Sequence, residues 1–220
     1  MPSESFTQLI EIVKRLRSKE GCPWDRKQRV KDLKNYLLEE VYELLDALQN
    51  RNKELIKEEL GDLFFLLVFL SYLFEEKSFF TVKEVLEEII KKMILRHPHV
   101  FSSQKVKTKE EVLNKWVKAK SKTKKRLTLW ERLPKSSPSL FSAYLFLKEL
   151  KALRRVSKKE LEKNLLKTIS KFKHSQKKDL LIDLIFYSAL FLSYSQQNPE
   201  FLLKKKLKQK SLKLFYEGQD

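Results

Sequence analysis

The hydrophobic pattern is most informative over residues 36–73, YLLEEVYELLDALQNRNKELIKEELGDLFFLLVFLSYL, which reads as two helices joined by the polar turn Gln49-Asn50-Arg51-Asn52. On the first helix Leu37, Val41, Leu44 and Leu48 form an apolar stripe, and Tyr36, Glu40, Glu43 and Ala47 form the stripe beside it. On the second, Leu55, Glu59, Asp62, Leu66, Phe69 and Leu73 recur at a spacing of three or four and share one face. Glu59 and Asp62 thus stand where core residues are expected.

The flanking segments follow the same period. Phe6, Leu9, Ile10, Val13 and Leu16 predict an amphipathic first helix ending near Gly21. Thr81 and Glu84 form a capping-box pattern ahead of Val82, Leu86, Ile89, Ile90 and Met93. Thr108 and Glu111 repeat that pattern before a helix carrying Trp116 and Lys120, one turn apart. Three glycines and six prolines in 220 residues, with abundant Leu, Lys and Glu, predict an all-α chain.

Two pairs of i, i+3 carboxylates, Glu40/Glu43 and Glu59/Asp62, on antiparallel neighbours can converge. A charge removed from water without a partner costs several kcal/mol, so such acids must be protonated, paired or bound to a cation. Four oxygen donors suit a hard divalent ion, Mg2+ or Mn2+. Ordinary solvated helix positions are the plainer alternative for any single Glu. Di-iron chemistry needs Glu-x-x-His pairs, and none of His97, His99 and His174 has an acid three residues before it. With glycine only at 21, 61 and 218, no Gly-rich phosphate loop exists.

The spacing carries a family resemblance. Glu39-Glu40-x-x-Glu43 followed by Glu59-Leu60-Gly61-Asp62 resembles the EExxE…ExxD signature of the MazG nucleoside triphosphate pyrophosphohydrolases. Gly21-Cys22-Pro23-Trp24-Asp25 before it, and Arg96-His97-Pro98-His99-Val100-Phe101 after it, are similar to further family phrases. The likeness spans about residues 6–122. It implies a helical bundle that hydrolyses a nucleoside triphosphate to the monophosphate and pyrophosphate, for house-cleaning or control of nucleotide pools. It implies Mg2+, with Mn2+ as a substitute, held by Glu40, Glu43, Glu59 and Asp62. It also implies a homodimer. Glu39, just off the ligand stripe, becomes the candidate for orienting or deprotonating water, and Lys57, Lys92, Arg96 and Lys120 the candidates for binding phosphates. Trp24 and Trp116 are the candidates for stacking on the base, although each tryptophan can equally pack against the bundle.

Charge divides the chain. Residues 1–101 hold 17 basic and 18 acidic residues, a net of −1, whereas 102–220 hold 30 and 11, a net of +19. The basic half suits contact with nucleic acid or attraction of anionic substrates; lysine-rich solvated faces are the alternative. The expected organisation is a MazG-like catalytic repeat at 1–122, a basic, Pro/Ser-bearing linker at 123–138 and a degenerate second repeat at 139–220. Shifting the chain by 121 residues lays LGDLFFLLVFLSYL (60–73) on LIDLIFYSALFLSY (181–194) without a gap. In that register Asp62 meets Asp183 and Glu39 meets Glu160, but Glu40, Glu43 and Glu59 meet Leu161, Asn164 and Leu180. The second repeat is therefore expected to lack a metal site. In two-repeat members of the family activity is associated chiefly with the second repeat, so a non-catalytic helical scaffold or a basic nucleic-acid-binding module is the alternative function.

Cys22 stands alone, which excludes an internal disulfide and fits a reducing cytoplasm. The N-terminus lacks the continuous apolar core of a signal peptide. The longest apolar run, Leu63–Phe74 interrupted only by Ser71, is 12 residues, too short for a bilayer. A cytoplasmic location without membrane contact is the expectation.

Overall fold

The computed structural model describes residues 2–101, 108, 111–112, 128–152 and 156–217. It separates into two compact units, Met1–Thr108 and Lys109–Asp220. Every regular element among the described residues is helical, and none of their helices is long and apolar enough to cross a membrane.

In the first unit α1 (Pro2–Arg17) packs on α4 (Lys53–Glu75), which pairs antiparallel with α3 (Leu33–Asn50). The short α2 (Pro23–Lys27) lies between α1 and α3 in sequence, and α5 (Val82–Arg96) and α6 (Pro98–Phe101) follow α4. Val13, Leu33, Leu66, Val68, Phe69 and Leu73 form the buried core, with Phe6, Leu9, Ile10, Tyr36 and Phe65 against it. The Thr81/Glu84 capping box forms at the start of α5, each side chain accepting from the other residue's backbone N–H.

The connection between α3 and α4 is tighter than its composition predicts: α3 runs through Asn50, leaving only Arg51 and Asn52. Arg51 takes the left-handed conformation (φ 55°, ψ 30°). Its N–H donates to the Leu48 carbonyl and that of Asn52 to Ala47, satisfying the last carbonyls of α3. The Asn52 side-chain oxygen then accepts from the N–H groups of Glu54 and Leu55, capping α4.

Both stripes of α3 are divided: Leu37 and Tyr36 pack on the core and Ala47 is buried, whereas Val41 and Leu48 are 40% and 50% exposed and Glu43 is exposed. The first helix ends at Arg17, not near Gly21. After Arg17 the helical ladder gives way to turn bonds, Ser18 N–H to the Arg15 carbonyl and Cys22 N–H to that of Leu16, and the Arg17 guanidinium reaches outward. It grips Glu76 through two hydrogen bonds of 2.8 and 2.6 Å, lies 5.5 Å from the Phe69 ring, and donates to the carbonyls of Asp25 and Gln28. This forked, largely covered pair fixes α2 against the end of α4. Gly21 permits the return of the chain. A β-carbon there would stand 2.2 Å from the Arg15 carbonyl oxygen and 2.3 Å from that of Leu16. At Gly61, in α4, it would meet nothing within 4 Å.

In the second unit a 3-10 turn (Trp130–Arg132) precedes α7 (Ser139–Ala152), α8 (Lys158–Ser175), α9 (Lys178–Tyr194) and α10 (Pro199–Glu217). Leu147, Leu161 and Leu190 make its small core. Its α8–α9 hairpin turns at Gln176, left-handed like Arg51 (φ 48°, ψ 25°), and α9 starts at Lys178 as α4 starts at Lys53. Turn to turn, the offset is 125 residues (Arg51 to Gln176), whereas the buried positions Ala47/Thr168, Val68/Ala189 and Phe69/Leu190 keep the 121 of the ungapped alignment. The difference of four is close to one helical turn, so apolar positions fall in phase at either offset.

Alanine at the two helix-associated glycines should act in opposite directions. Gly21→Ala is expected to lower stability by about 1–3 kcal/mol through a backbone clash. Gly61→Ala is expected to raise it by about 0.5–1 kcal/mol through better helix propensity. Urea unfolding of both variants checks this, and equal effects of one sign would contradict the packing described.

Candidate metal and nucleotide site

The tight turn at Arg51 fixes where the acids meet. Glu43 lies eight residues before Arg51 and Glu59 eight after; Glu40 lies eleven before and Asp62 eleven after. In an antiparallel hairpin with so short a connection, equal counts mean equal heights along the axis, about 12 Å and 16 Å from the turn at 1.5 Å per residue. The structure brings together carboxylate oxygens of Glu40, Glu43 and Glu59, all within 4.8 Å of one another. Asp62 acts electrostatically on both Glu40 and Glu59.

The carboxylates are less buried than the stripe predicted. Glu40 and Glu59 are half-buried; Glu43 and Asp62 are exposed. The reason is visible along α4: Leu66, Phe69 and Leu73 reach the core, but one turn earlier the stripe leaves it and Leu55 is exposed. The acids occupy the open end of the hairpin.

Their mutual repulsion is uncompensated. The Glu40 carboxyl is pushed up to about 7, first by lost solvation and then by the charges of Asp62, Glu43 and Glu59. Glu40 and Glu59 share a hydrogen bond that favours the proton on Glu40 and the charge on Glu59. Glu59 is also raised, by lost solvation and by Glu43. Every charge acting on Glu40 is acidic. Three clustered oxygen donors with a fourth acid beside them, short of positive charge, fit a hard dication.

A cavity of about 210 Å3 opens beside this cluster. Glu40 and Asp62 line one side, Trp24, Asp25, Gln28 and Tyr36 another, and Leu66 and Phe69 bring core side chains to its wall. The Trp24 and Tyr36 rings lie 6.0 Å apart, tilted by 59°. Trp24 is more than half exposed and does not plug the bundle.

The other candidates are distributed differently. Glu39 is exposed on α3, next to Glu40 but turned off its stripe. Lys57 is exposed on α4, two residues and so more than half a turn from Glu59. Lys92 stands 4.0 Å from Glu88 on α5, and Arg96, half-buried, ends that helix. Trp116 and Lys120 lie outside the described residues. Asp25, Gln28 and Tyr36 were missed in sequence; the signal available was their position around Trp24 and one turn before Glu40.

Residues 28–101 match the model of the MazG nucleotide pyrophosphohydrolase domain. The matched segment contains the three clustered acids and Asp62, and the cavity adds Trp24 and Asp25 from just before it. The chain is 47% identical over 96 residues to the nucleoside triphosphate pyrophosphohydrolase/pyrophosphatase MazG of Thermotoga maritima, covering 44% of this chain and 38% of that protein. It is 36% identical over 140 residues to the nucleoside triphosphate pyrophosphohydrolase of Escherichia coli K12, covering 62% and 53%. It is 37% identical over 140 residues to the uncharacterized protein YabN of Bacillus subtilis, covering 63% and 29%. The chain therefore spans between under a third and about half of the length of these relatives. The crystal structure of a mazG-related protein from Thermotoga maritima superposes with a TM-score of 0.46 at 24% identity, over 52% of this chain and 98% of that one.

The raised Glu40 carboxyl gives the first unit a pH signature. An acid that binds its proton more tightly when folded stabilises the fold below its unfolded pKa, and that contribution is lost as pH rises to the folded pKa. Without divalent ions, the melting temperature should fall between about pH 5 and pH 8, the window set by the ordinary value and the shift to about 7. Glu40→Gln should flatten this fall. An identical pH profile in wild type and variant would remove the repulsion argument.

Proposed function

We propose that the protein hydrolyses nucleoside triphosphates to the monophosphate and pyrophosphate, using the α3–α4 acid cluster. The carrying observation is that Glu40 of the acid cluster and the neighbouring Asp62 line the same cavity as Trp24 and Tyr36. Phosphate chemistry and a slot for a planar ring thus share one cavity. The two relatives whose names describe a pyrophosphohydrolase support the same reading.

Glu40, Glu43, Glu59 and Asp62 would hold Mg2+, for which Mn2+ can substitute. The bound ion supplies neutralisation of triphosphate charge and polarisation of the attacked phosphoryl group. Glu39 orients a water and takes its proton as the oxygen adds to the α-phosphorus and the bond to the bridging oxygen breaks. Lys57, Lys92, Arg96 and Lys120 bind phosphate oxygens, the arginine through its forked donors. Trp24, and Trp116 from outside the described residues, stack on the base. In this reading the protein acts in the cytoplasm, cleaning or regulating nucleotide pools.

A second copy of the chain is the natural cover for the uncovered apolar side chains of this unit. Leu60, Phe64 and Leu67 follow one face of α4, and Leu38, Val41 and Leu48 stand exposed on α3. Both sets adjoin helices that carry the acids, so dimerisation would also close the site from water. The second unit serves a separate role. At the heights equivalent to the four acids, counted from Gln176, stand Leu165, Thr168, Leu184 and Tyr187, which offer no carboxylate. Its exposed lysines on α10, Lys204 through Lys206, Lys208 and Lys210, favour contact with a polyanion such as nucleic acid.

Two measurements test these assignments. With Mg2+ and a panel of ribo-, deoxyribo- and modified triphosphates, wild type should release pyrophosphate. Glu43→Gln and Glu59→Gln should lose at least about a hundredfold in kcat/KM while remaining folded, since each removes part of several kcal/mol of charge stabilisation. Turnover that survives both substitutions would place the site elsewhere. Binding of an unstructured oligonucleotide should weaken about tenfold or more between 50 and 200 mM salt if α10 tracks phosphates, and a flat salt dependence would reject that role.

A further inference from the structure

We infer that Asp25 reads the base, and that the cavity selects a nucleobase edge bearing two adjacent N–H donors, that of a 2-amino-6-oxopurine. This rests on the nucleotide-site reading above and specifies its substrate class.

Asp25 is a buried carboxylate residue, 8% exposed, on the cavity wall. Its main-chain oxygen is engaged by Arg17 and by the Gln28 N–H, but among the described residues no hydrogen bond or ion pair reaches its carboxylate. The residue as a whole is buried, but its carboxylate oxygens keep some contact with solvent. The core gains nothing from an acid here, since apolar Leu33, Leu66 and Phe69 line the same space. The segment is held in place by other means: the Arg17 grip on the carbonyls of Asp25 and Gln28 and the close chain return at Gly21. The carboxylate is therefore free to serve a ligand.

The side chains around it mix donors and acceptors. An ionised carboxylate only accepts, whereas the Trp24 indole N–H and the Tyr36 hydroxyl can donate. Gln28 directs its amide nitrogen to the Trp24 carbonyl, 3.5 Å away. Glu40 belongs to the acid cluster, and Asp62 stands beside it. The cavity volume is about 210 Å3. A base seated beside Trp24 and Tyr36 can present its edge to the Asp25 carboxylate.

The bases differ sharply against such a wall. The ring N–H and amino group of a 2-amino-6-oxopurine lie side by side and match the two carboxylate oxygens in a bidentate pair. Hypoxanthine keeps only the ring N–H. Adenine and cytosine set one amino group beside an acceptor nitrogen. Uracil and thymine flank their single N–H with two carbonyl oxygens, which the carboxylate repels. A buried acceptor left unpaired penalises every poorer match.

The test is calorimetric binding of the α,β-methylene analogues of GTP, ITP and UTP to the full chain, for wild type and Asp25→Asn. The guanine analogue should bind about tenfold or more tighter than the hypoxanthine one, with the uracil analogue weakest. Asp25→Asn should bring guanine and hypoxanthine to within about twofold while circular dichroism stays unchanged. Wild-type protein that binds the hypoxanthine analogue as tightly as the guanine one overturns the inference, even if the variant misfolds. So does an Asp25→Asn protein that is folded and keeps the preference. Hydrolysis of GTP, measured separately, addresses the proposed reaction: absent turnover with a retained guanine preference rejects the reaction and leaves the base-reading assignment standing.

Discussion

The two-residue turn at Arg51 and Asn52 is the constraint on which the first unit depends. Because it is so short and so fully hydrogen-bonded, α3 and α4 have a single register, and four acids equally spaced about it must face one another. Leu at these heights would be compatible with the turn, as the second hairpin demonstrates. The turn thus dictates a meeting that the side chains themselves oppose. Lost solvation first, and then the neighbouring acidic charges, push the Glu40 carboxyl up, and it shares a hydrogen bond with Glu59.

That meeting reorganises what surrounds it. For Glu40 and Glu43 to face α4, α3 divides both of its stripes: Leu37 and Tyr36 reach the core while Val41 and Leu48 stand half in water. A helix placed by hydrophobic burial alone would bury Val41 and Leu48 as well. Stability has to come from the opposite end of the hairpin, where Phe69, Leu73 and Val13 are almost completely buried and Arg17 ties three segments together. The core end and the acid end of α4 divide the work of folding and of binding, an instance of local conflict concentrated at a site.

Much of this was legible in the chain. Helical periodicity, the Thr81/Glu84 box and the i, i+3 acids are local signals, and each has its counterpart in the structure. Rotation of α3 was not legible, because two stripes one position apart compete and only the register against α4 decides between them. The repeat keeps its 121 offset in the buried positions, and because a shift of four nearly completes a helical turn, a second turn placed at an offset of 125 leaves the hydrophobic phase intact. The left-handed residues Arg51 and Gln176 mark the two turns, and neither is the glycine that would have advertised such a turn. Asp25 was hidden by sequence distance, since its proximity to Glu40 arises from the grip of Arg17 on the α2 segment.

The second hairpin supplies the comparison that separates fold from chemistry. It shares the left-handed residue at the turn, the antiparallel pair and a leucine core, so the backbone solution is the same. Where Glu43 stands in the first hairpin, Thr168 is buried in the second and satisfies its hydroxyl within its own helix by donating to the Asn164 carbonyl. The cost of a polar group is met locally there, without any ligand. Glu43 has no such recourse: a carboxylate cannot donate to a backbone carbonyl and must stay near water or a cation. The exposure of Glu43 and the burial of Thr168 at the same height follow from that difference alone. The acids of the first hairpin are therefore a departure from what the hairpin needs to fold, retained on the face that opens into the cavity.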